Sequence, residues 1–192
     1  EGLTIYTVDD GDGVTVAGDH PIPNNPYHHI AFKGLDRLVL VADDDSEASA
    51  TLSLTSLNAL PELQLIGQPV TLIGKDVHDL VVSETVAYVA TEHGLETVSV
   101  SGSAPTLGPD LFMTGGASGI HIEGNVAYLA PRVLADAPLS LISLEDPATL
   151  GVLSALVIPS DGQARGVYLD QSWLYVMVED GVHALELTCE DL

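Results

Sequence analysis

Cysteine is nearly missing: Cys189 is the single one in 192 residues, so no disulfide or cysteine-rich metal site can form within the chain. Two readings of Cys189 stand, a lone thiol near the chain end or a link to a further segment. Positive charge is scarce as well. Lys33, Arg37, Lys75, Arg132 and Arg165 are the five basic residues against 28 acidic ones, for a formal charge of −23. A surface of that sign repels phosphate backbones and anionic lipid, so neither nucleic acid nor a lipid surface is an expected partner. No apolar run approaches the roughly 18 residues of a spanning helix, so membrane insertion is not expected. The opening residues do not read as an export signal, and any targeting segment is expected upstream or already removed. Catalytic motifs are missing too. Gly116-Ala117-Ser118-Gly119-Ile120 lacks the second glycine of a serine elbow and leads into a strand. No phosphate loop, zincin helix, haem attachment motif or dinucleotide fingerprint occurs.

What the chain does contain is a repeat. His28–Ala42, His78–Ala90, Ser118–Ala130 and Arg165–Met177 each read as a polar residue, an alternating apolar run, a turn and a second run. Their starts at residues 28, 78, 118 and 165 lie 50, 40 and 47 residues apart. In the second unit Leu80 and Val82, then Val86, Tyr88 and Ala90, occupy alternate positions; Ile120, Ile122, Val126, Tyr128 and Ala130 repeat this in the third. The fourth has Val167, Leu169, Trp173, Tyr175 and Met177, and the first Ile30, Phe32, Leu38, Leu40 and Ala42. A period of two broken by polar turns predicts strands. With 46% hydrophobic residues the chain can fill a core and is no disordered acidic tail.

A third strand is predicted at Thr51–Leu57, Gly94–Val100, Pro138–Leu144 and Gly181–Leu187. A weaker fourth is predicted at Leu63–Ile73, Asp110–Met113 and Val152–Ile158. Four short antiparallel strands in each 40–50 residues describe the blade of a β-propeller, a β-solenoid being the structural alternative. The expected fold is therefore all-β, with blades at 28–74, 78–116 and 118–160, and a last blade at 165–192 lacking its outer strand. Residues 1–20 read as the end of a further blade, Leu3–Val8 as its third strand and Gly13–Gly18 as its fourth. An open blade edge exposes unpaired backbone and apolar surface. The expectation is the C-terminal portion of a larger propeller, whose remainder, in another chain or a missing segment, is a partner. A self-closed five-bladed ring is the alternative.

His78-Asp79-Leu80-Val81-Val82, Val86-Ala87-Tyr88-Val89-Ala90 and His93-Gly94-Leu95 resemble the LVIVD-type repeat, in which a valine-rich strand, "AYVA" and "GL" follow in order. Val126–Ala130 and Glu145-Asp146-Pro147 are similar to the same consensus. His28–Phe32 with Leu38–Ala42 resembles the related YVTN-type repeats of surface-layer and periplasmic propellers. The resemblance covers most of the chain and implies a propeller located extracellularly, at the cell surface or in the periplasm. It implies no reaction and carries over no catalytic residue.

Two sets of candidate site residues stand out. The residue opening each innermost strand is His28, His78, Ser118 and Arg165 in turn. In a propeller these positions converge at one mouth of the central channel. Two imidazoles, a hydroxyl and a guanidinium there suit an anion, a carboxylate ligand or, through the histidines, a transition metal. The alternative is that each residue caps its own strand by hydrogen bonding to a neighbouring blade. His29 and His20 would extend a metal cluster, although His20 is read within a proline-rich connection, and His121 is expected to pack between blades. The second set is Asp9, Asp10 and Asp12 of Asp9-Asp10-Gly11-Asp12-Gly13, whose spaced oxygens and glycines suit calcium but equally make a hairpin turn. Asp43-Asp44-Asp45-Ser46-Glu47 is a further acidic loop open to both readings.

Two functions follow as expectations. One is a non-catalytic extracellular binding scaffold for a protein or glycan partner, with calcium as its candidate stabilising ion. The other is an enzyme domain whose site at the channel mouth is completed by residues of the missing blades.

Overall fold

The computed structural model describes residues 2–8, 14–21, 27–42, 49–58, 63–134, 137–146, 148–160 and 162–187, with side chains described from His29 onward. The Asp9, Asp10 and Asp12 turn, the Asp43–Glu47 loop and Cys189 lie outside the described residues. So does the side chain of His28, whose backbone is in a strand.

Among the described residues all eighteen elements are strands. β1 (Gly2–Val8) pairs antiparallel with β2 (Val14–Pro21). Four larger antiparallel sheets follow. Sheet 1 is β3 (Tyr27–Lys33), β4 (Arg37–Ala42), β5 (Thr51–Ser56), β6 (Gln64–Leu65) and β7 (Val70–Thr71). Sheet 2 is β8 (Val77–Ser83), β9 (Val86–Thr91), β10 (Gly94–Ser99) and β11 (Thr106–Phe112). Sheet 3 is β12 (Ala117–Glu123), β13 (Val126–Pro131), β14 (Leu139–Ser143) and β15 (Gly151–Leu156). Sheet 4 is β16 (Ala164–Asp170), β17 (Trp173–Val178) and β18 (Gly181–Glu186). Sheets 2 to 4 are meanders in chain order, as is sheet 1 from β3 to β6, as short hairpin connections dictate.

The sequence predicts one weak fourth strand over Leu63–Ile73, whereas sheet 1 carries two short pieces, β6 and β7, both paired with β5. Gly67 interrupts them with φ 74°, and a Cβ there would lie 2.4 Å from the Ala104 Cβ of sheet 2's long loop. His20, read as part of a proline-rich connection, is instead in β2 opposite Leu3.

Neighbouring sheets meet through their first strands, β3 against β8, β8 against β12 and β12 against β16. The strands β4, β9 and β13 are buried along nearly their whole length. The period of two explains why: each middle strand faces a different neighbour on its two sides. Ala87 and Val89 of β9 pack into the core shared with sheet 1. Tyr88 and Ala90, pointing the other way, join the core shared with sheet 3. Tyr128 and Ala130 of β13 then enter the core between sheets 3 and 4 with Val167, Leu174 and Val176. The result is a row of blade-like sheets stacked face on face.

The hairpins joining first and second strands share a backbone twist. Gly34, Glu84, Gly124 and Gln171 sit at equivalent turn positions with φ between 50° and 65°. Two-residue hairpin loops favour such a positive φ; three of the four are of that length, and the first, Gly34–Asp36, has three residues.

Candidate functional site

Each first strand contains one residue too many. Val77 pairs with Thr91 and Asp79 with Ala90, so the register skips His78. Ser118 is skipped in the same way between Ala117 and Gly119. Arg165 is skipped between Ala164 and Gly166, and His28 between Tyr27 and His29. The four residues singled out from the sequence are therefore the four β-bulges of the four first strands. A bulge frees one side chain from the alternation and re-aims it, and bulges gather beside functional sites for that reason.

Three of these residues meet. His78, Ser118 and Arg165 line one pocket of about 270 Å³ together with Arg132, Gln163 and Ala164. Two close contacts set that convergence. A Cβ on Gly119 would lie 2.6 Å from the Gly166 Cα, so β12 and β16 touch backbone to backbone just after their bulges. The other is a backbone crossing, where Arg132 N–H donates to the Gly116 carbonyl (3.1 Å) and Ala164 N–H to the Arg132 carbonyl (3.2 Å). Val133 also bridges Gln163 antiparallel. Arg132 and Gln163 reach the pocket through this crossing, outside the repeat phase, and sequence reasoning missed both.

The side chains divide by what holds them. Ser118 is buried, and its Oγ lies 3.2 Å from the Pro131 carbonyl and 3.5 Å from that of Ala130, so the hydroxyl caps its own sheet. Arg165 Nη2 donates to Glu179 Oε1 at 2.6 Å, both groups being more than half exposed. Among the described residues the ion pairs are Arg37–Asp36, His93–Asp110 and Arg165–Glu179. The Arg132 guanidinium, half-buried in the pocket wall, belongs to none of them.

The position after the bulge has a different task. His29 Nε2 lies 2.9 Å from the Val77 carbonyl, tying β3 to β8. Asp79 Oδ2 accepts from Ile120 N–H at 3.0 Å, tying β8 to β12. Gly119 and Gly166 complete the series by direct contact. His29 and Asp79, one place along from the bulges, thus bond to a neighbouring sheet, and His29 is occupied in that bond. His121 packs edge-on against Tyr168 of sheet 4 with centroids 5.0 Å apart, as expected of a residue between sheets. Among the described residues no group of three or more His, Cys, Asp or Glu is placed to hold a metal ion.

A second polar cluster joins sheets 1 and 2. Glu96 is 2% exposed in the middle of β10. Its Oε2 accepts from Ile73 N–H (2.6 Å) and its Oε1 from Gly74 N–H (2.7 Å) and Thr91 Oγ1 (3.0 Å). Glu92 accepts from the next two amides, Lys75 N–H (2.5 Å) and Asp76 N–H (2.7 Å). Four consecutive amides of the connection between the sheets are thus received by two carboxylates. Tyr88 and Tyr128, equivalent in β9 and β13, have phenols raised above their ordinary pKa by burial, with the nearby charges of Glu84 and Glu123 adding to it.

No family model matches the chain, and no curated protein matches it. Several solved structures share its fold. It is similar to the computationally designed Ika4 protein, with a TM-score of 0.65 at 11% identity over 85% of this chain and 92% of that one. The designed Ika8 protein gives 0.67 at 12% identity over 96% and 55%. PorZ, an essential bacterial surface component of the type-IX secretion system of Porphyromonas gingivalis, gives 0.63 at 17% identity. That match covers 95% of this chain but 24% of PorZ.

Proposed function

We propose that this chain is part of a β-propeller of the LVIVD or YVTN type, working outside the cytoplasm as a non-catalytic binding scaffold. Its ligand or partner is taken at the mouth where the bulges converge. One observation carries this reading: four bulges fall at the same register, and three of the bulged residues line one polar pocket. A ladder slip repeated in every sheet serves no strand pairing, because it removes a ladder bond each time. The likeness to a surface component of a secretion system supports the location as a fold-level analogy. The Ser118 hydroxyl, directed at carbonyls of its own sheet, supports a site that holds and does not attack. The remainder of the propeller, in another chain or segment, would cover the outer face of sheet 4, where Trp173, Met177 and Val182 are exposed.

The test is a screen of glycans and extracellular proteins against the wild type and a His78→Ala/Arg165→Ala variant whose circular dichroism is unchanged. The reading expects a partner that the wild type binds unaltered and the variant loses. Equal binding by both proteins overturns the location of the site. Turnover of a bound compound, abolished in the variant, would turn the reading to the enzyme alternative.

A further inference from the structure

We propose that the pocket at the bulges of sheets 2 to 4 is a carboxylate site anchored by Arg132, an inference that rests on that mouth being the binding face. Charge supplies the first argument. Two of the five basic residues in a chain of formal charge −23 line this one pocket. Against so acidic a background the local field at Arg132 and Arg165 is the exception, and an anion is the ligand that would seek it.

Geometry supplies the second. Arg132 is held by backbone hydrogen bonds on both sides of its Cα, to Gly116 and from Ala164, so its side chain leaves from a fixed point. Its guanidinium has no partner among the described residues, and a planar fork of N–H donors matches a carboxylate with two parallel bonds. Gln163 and His78 stand beside it with further hydrogen-bonding groups. Arg165 spends one donor on Glu179 and retains others.

Size and field together narrow the class. A recess of about 270 Å³ accommodates a small group and not an extended chain. A polyanion would have to lie along the acidic surface around the mouth, whereas a single carboxylate needs to enter only the pocket. Two sources share that chemistry, an acidic sugar and the free C-terminus of a peptide.

The experiment titrates the whole chain, followed by NMR and calorimetry, with galacturonate and with an acetylated tripeptide bearing a free C-terminus. Galactose, the tripeptide amide and inorganic sulfate are titrated beside them. One acid is expected to bind about tenfold or more tighter than its neutral counterpart, and which one does so identifies the source. Arg132→Gln is expected to lose about tenfold in affinity, and Arg132→Lys to recover part of it as a point charge without the fork. Glu179→Gln, freeing Arg165 from an exposed pair, is expected to tighten binding about two- to threefold. Neutral and acidic probes binding equally well at these residues would overturn the carboxylate assignment and leave the binding face standing. Sulfate binding tighter than both acids, or an Arg132→Gln variant that binds like the wild type, would also overturn it. If no probe perturbs the pocket, both the assignment and the binding face fall.

Discussion

Replacing Glu96 by glutamine changes one oxygen to an NH2 group and removes a charge. Its consequence can be followed bond by bond. The carboxylate receives three donors, two on Oε1 and one on Oε2, with no cation in the cluster. Glutamine keeps one acceptor oxygen, so in either orientation its NH2 faces a backbone N–H. The cheaper orientation keeps the Gly74 amide and Thr91 hydroxyl on the oxygen and sets the NH2 against Ile73 N–H, the donor nearer to solvent. That forfeits one charge-assisted bond of about 1.5–3 kcal/mol and weakens two more, for about 2–4 kcal/mol in total. At about 2–4 °C per kcal/mol for a chain of this size, Tm falls by about 4–16 °C. Glu96→Ala is expected to be worse, because it orphans the buried Gly74 amide and leaves the Thr91 hydroxyl only the longer bond to the Gly94 carbonyl (3.4 Å). The assay is thermal and urea unfolding, with hydrogen exchange at the Ile73 and Gly74 amides as the local readout. A Glu96→Gln variant within about 0.5 kcal/mol of the wild type, or unaltered exchange at those two amides, would refute the reasoning.

Gly119→Ala places a Cβ 2.6 Å from the Gly166 Cα and 3.2 Å from Val167 N, where only backbone can yield. Overpacking of this kind costs about 1–3 kcal/mol, so Tm should drop by about 2–12 °C; a neutral substitution in a thermal melt would show that β12 and β16 do not press together. Tyr88 and Tyr128 hold their protons longer folded than unfolded. Stability is therefore constant up to the unfolded pKa near 10 and falls as pH rises from there through the raised folded values. Absorbance near 295 nm should show the phenols of Tyr88 and Tyr128 ionising late and together with unfolding, and Tyr88→Phe and Tyr128→Phe variants that leave the late phase unchanged would contradict this. If Asp9, Asp10 and Asp12 bind calcium, removing the ion from about a hundredfold excess over its dissociation constant costs about 2.7 kcal/mol, or about 5–10 °C in Tm. A melting curve indifferent to chelator would leave that segment a plain acidic turn.

The sheets were legible because their signal is local. Alternation over 78–90 or 118–130 needs only the two strands of one hairpin, and the hairpins are the units that stack. The bulges were half legible. A polar residue leads each unit, and in β8 the parity of buried residues slips there too, Val77 and Leu80 being three apart where a regular strand gives two or four. Arg132 and Gln163 were not legible, since the crossing that brings them to the pocket joins sheets 3 and 4 outside the repeat. Glu96 left a clue that went unread: an acid amid buried residues of β10 demands partners. Two of its three partners are backbone amides, which no residue code displays.

Because a bulged residue contributes no rung to its ladder, its identity is decoupled from whether the strand forms. Three residue types, at His28 and His78, Ser118 and Arg165, occupy the bulge while the residues that flank them keep the same pairing. The scaffold can therefore be re-tipped, one substitution at a time, without renegotiating its architecture. Selectivity at the mouth and integrity of the sheets are open to separate selection in this molecule.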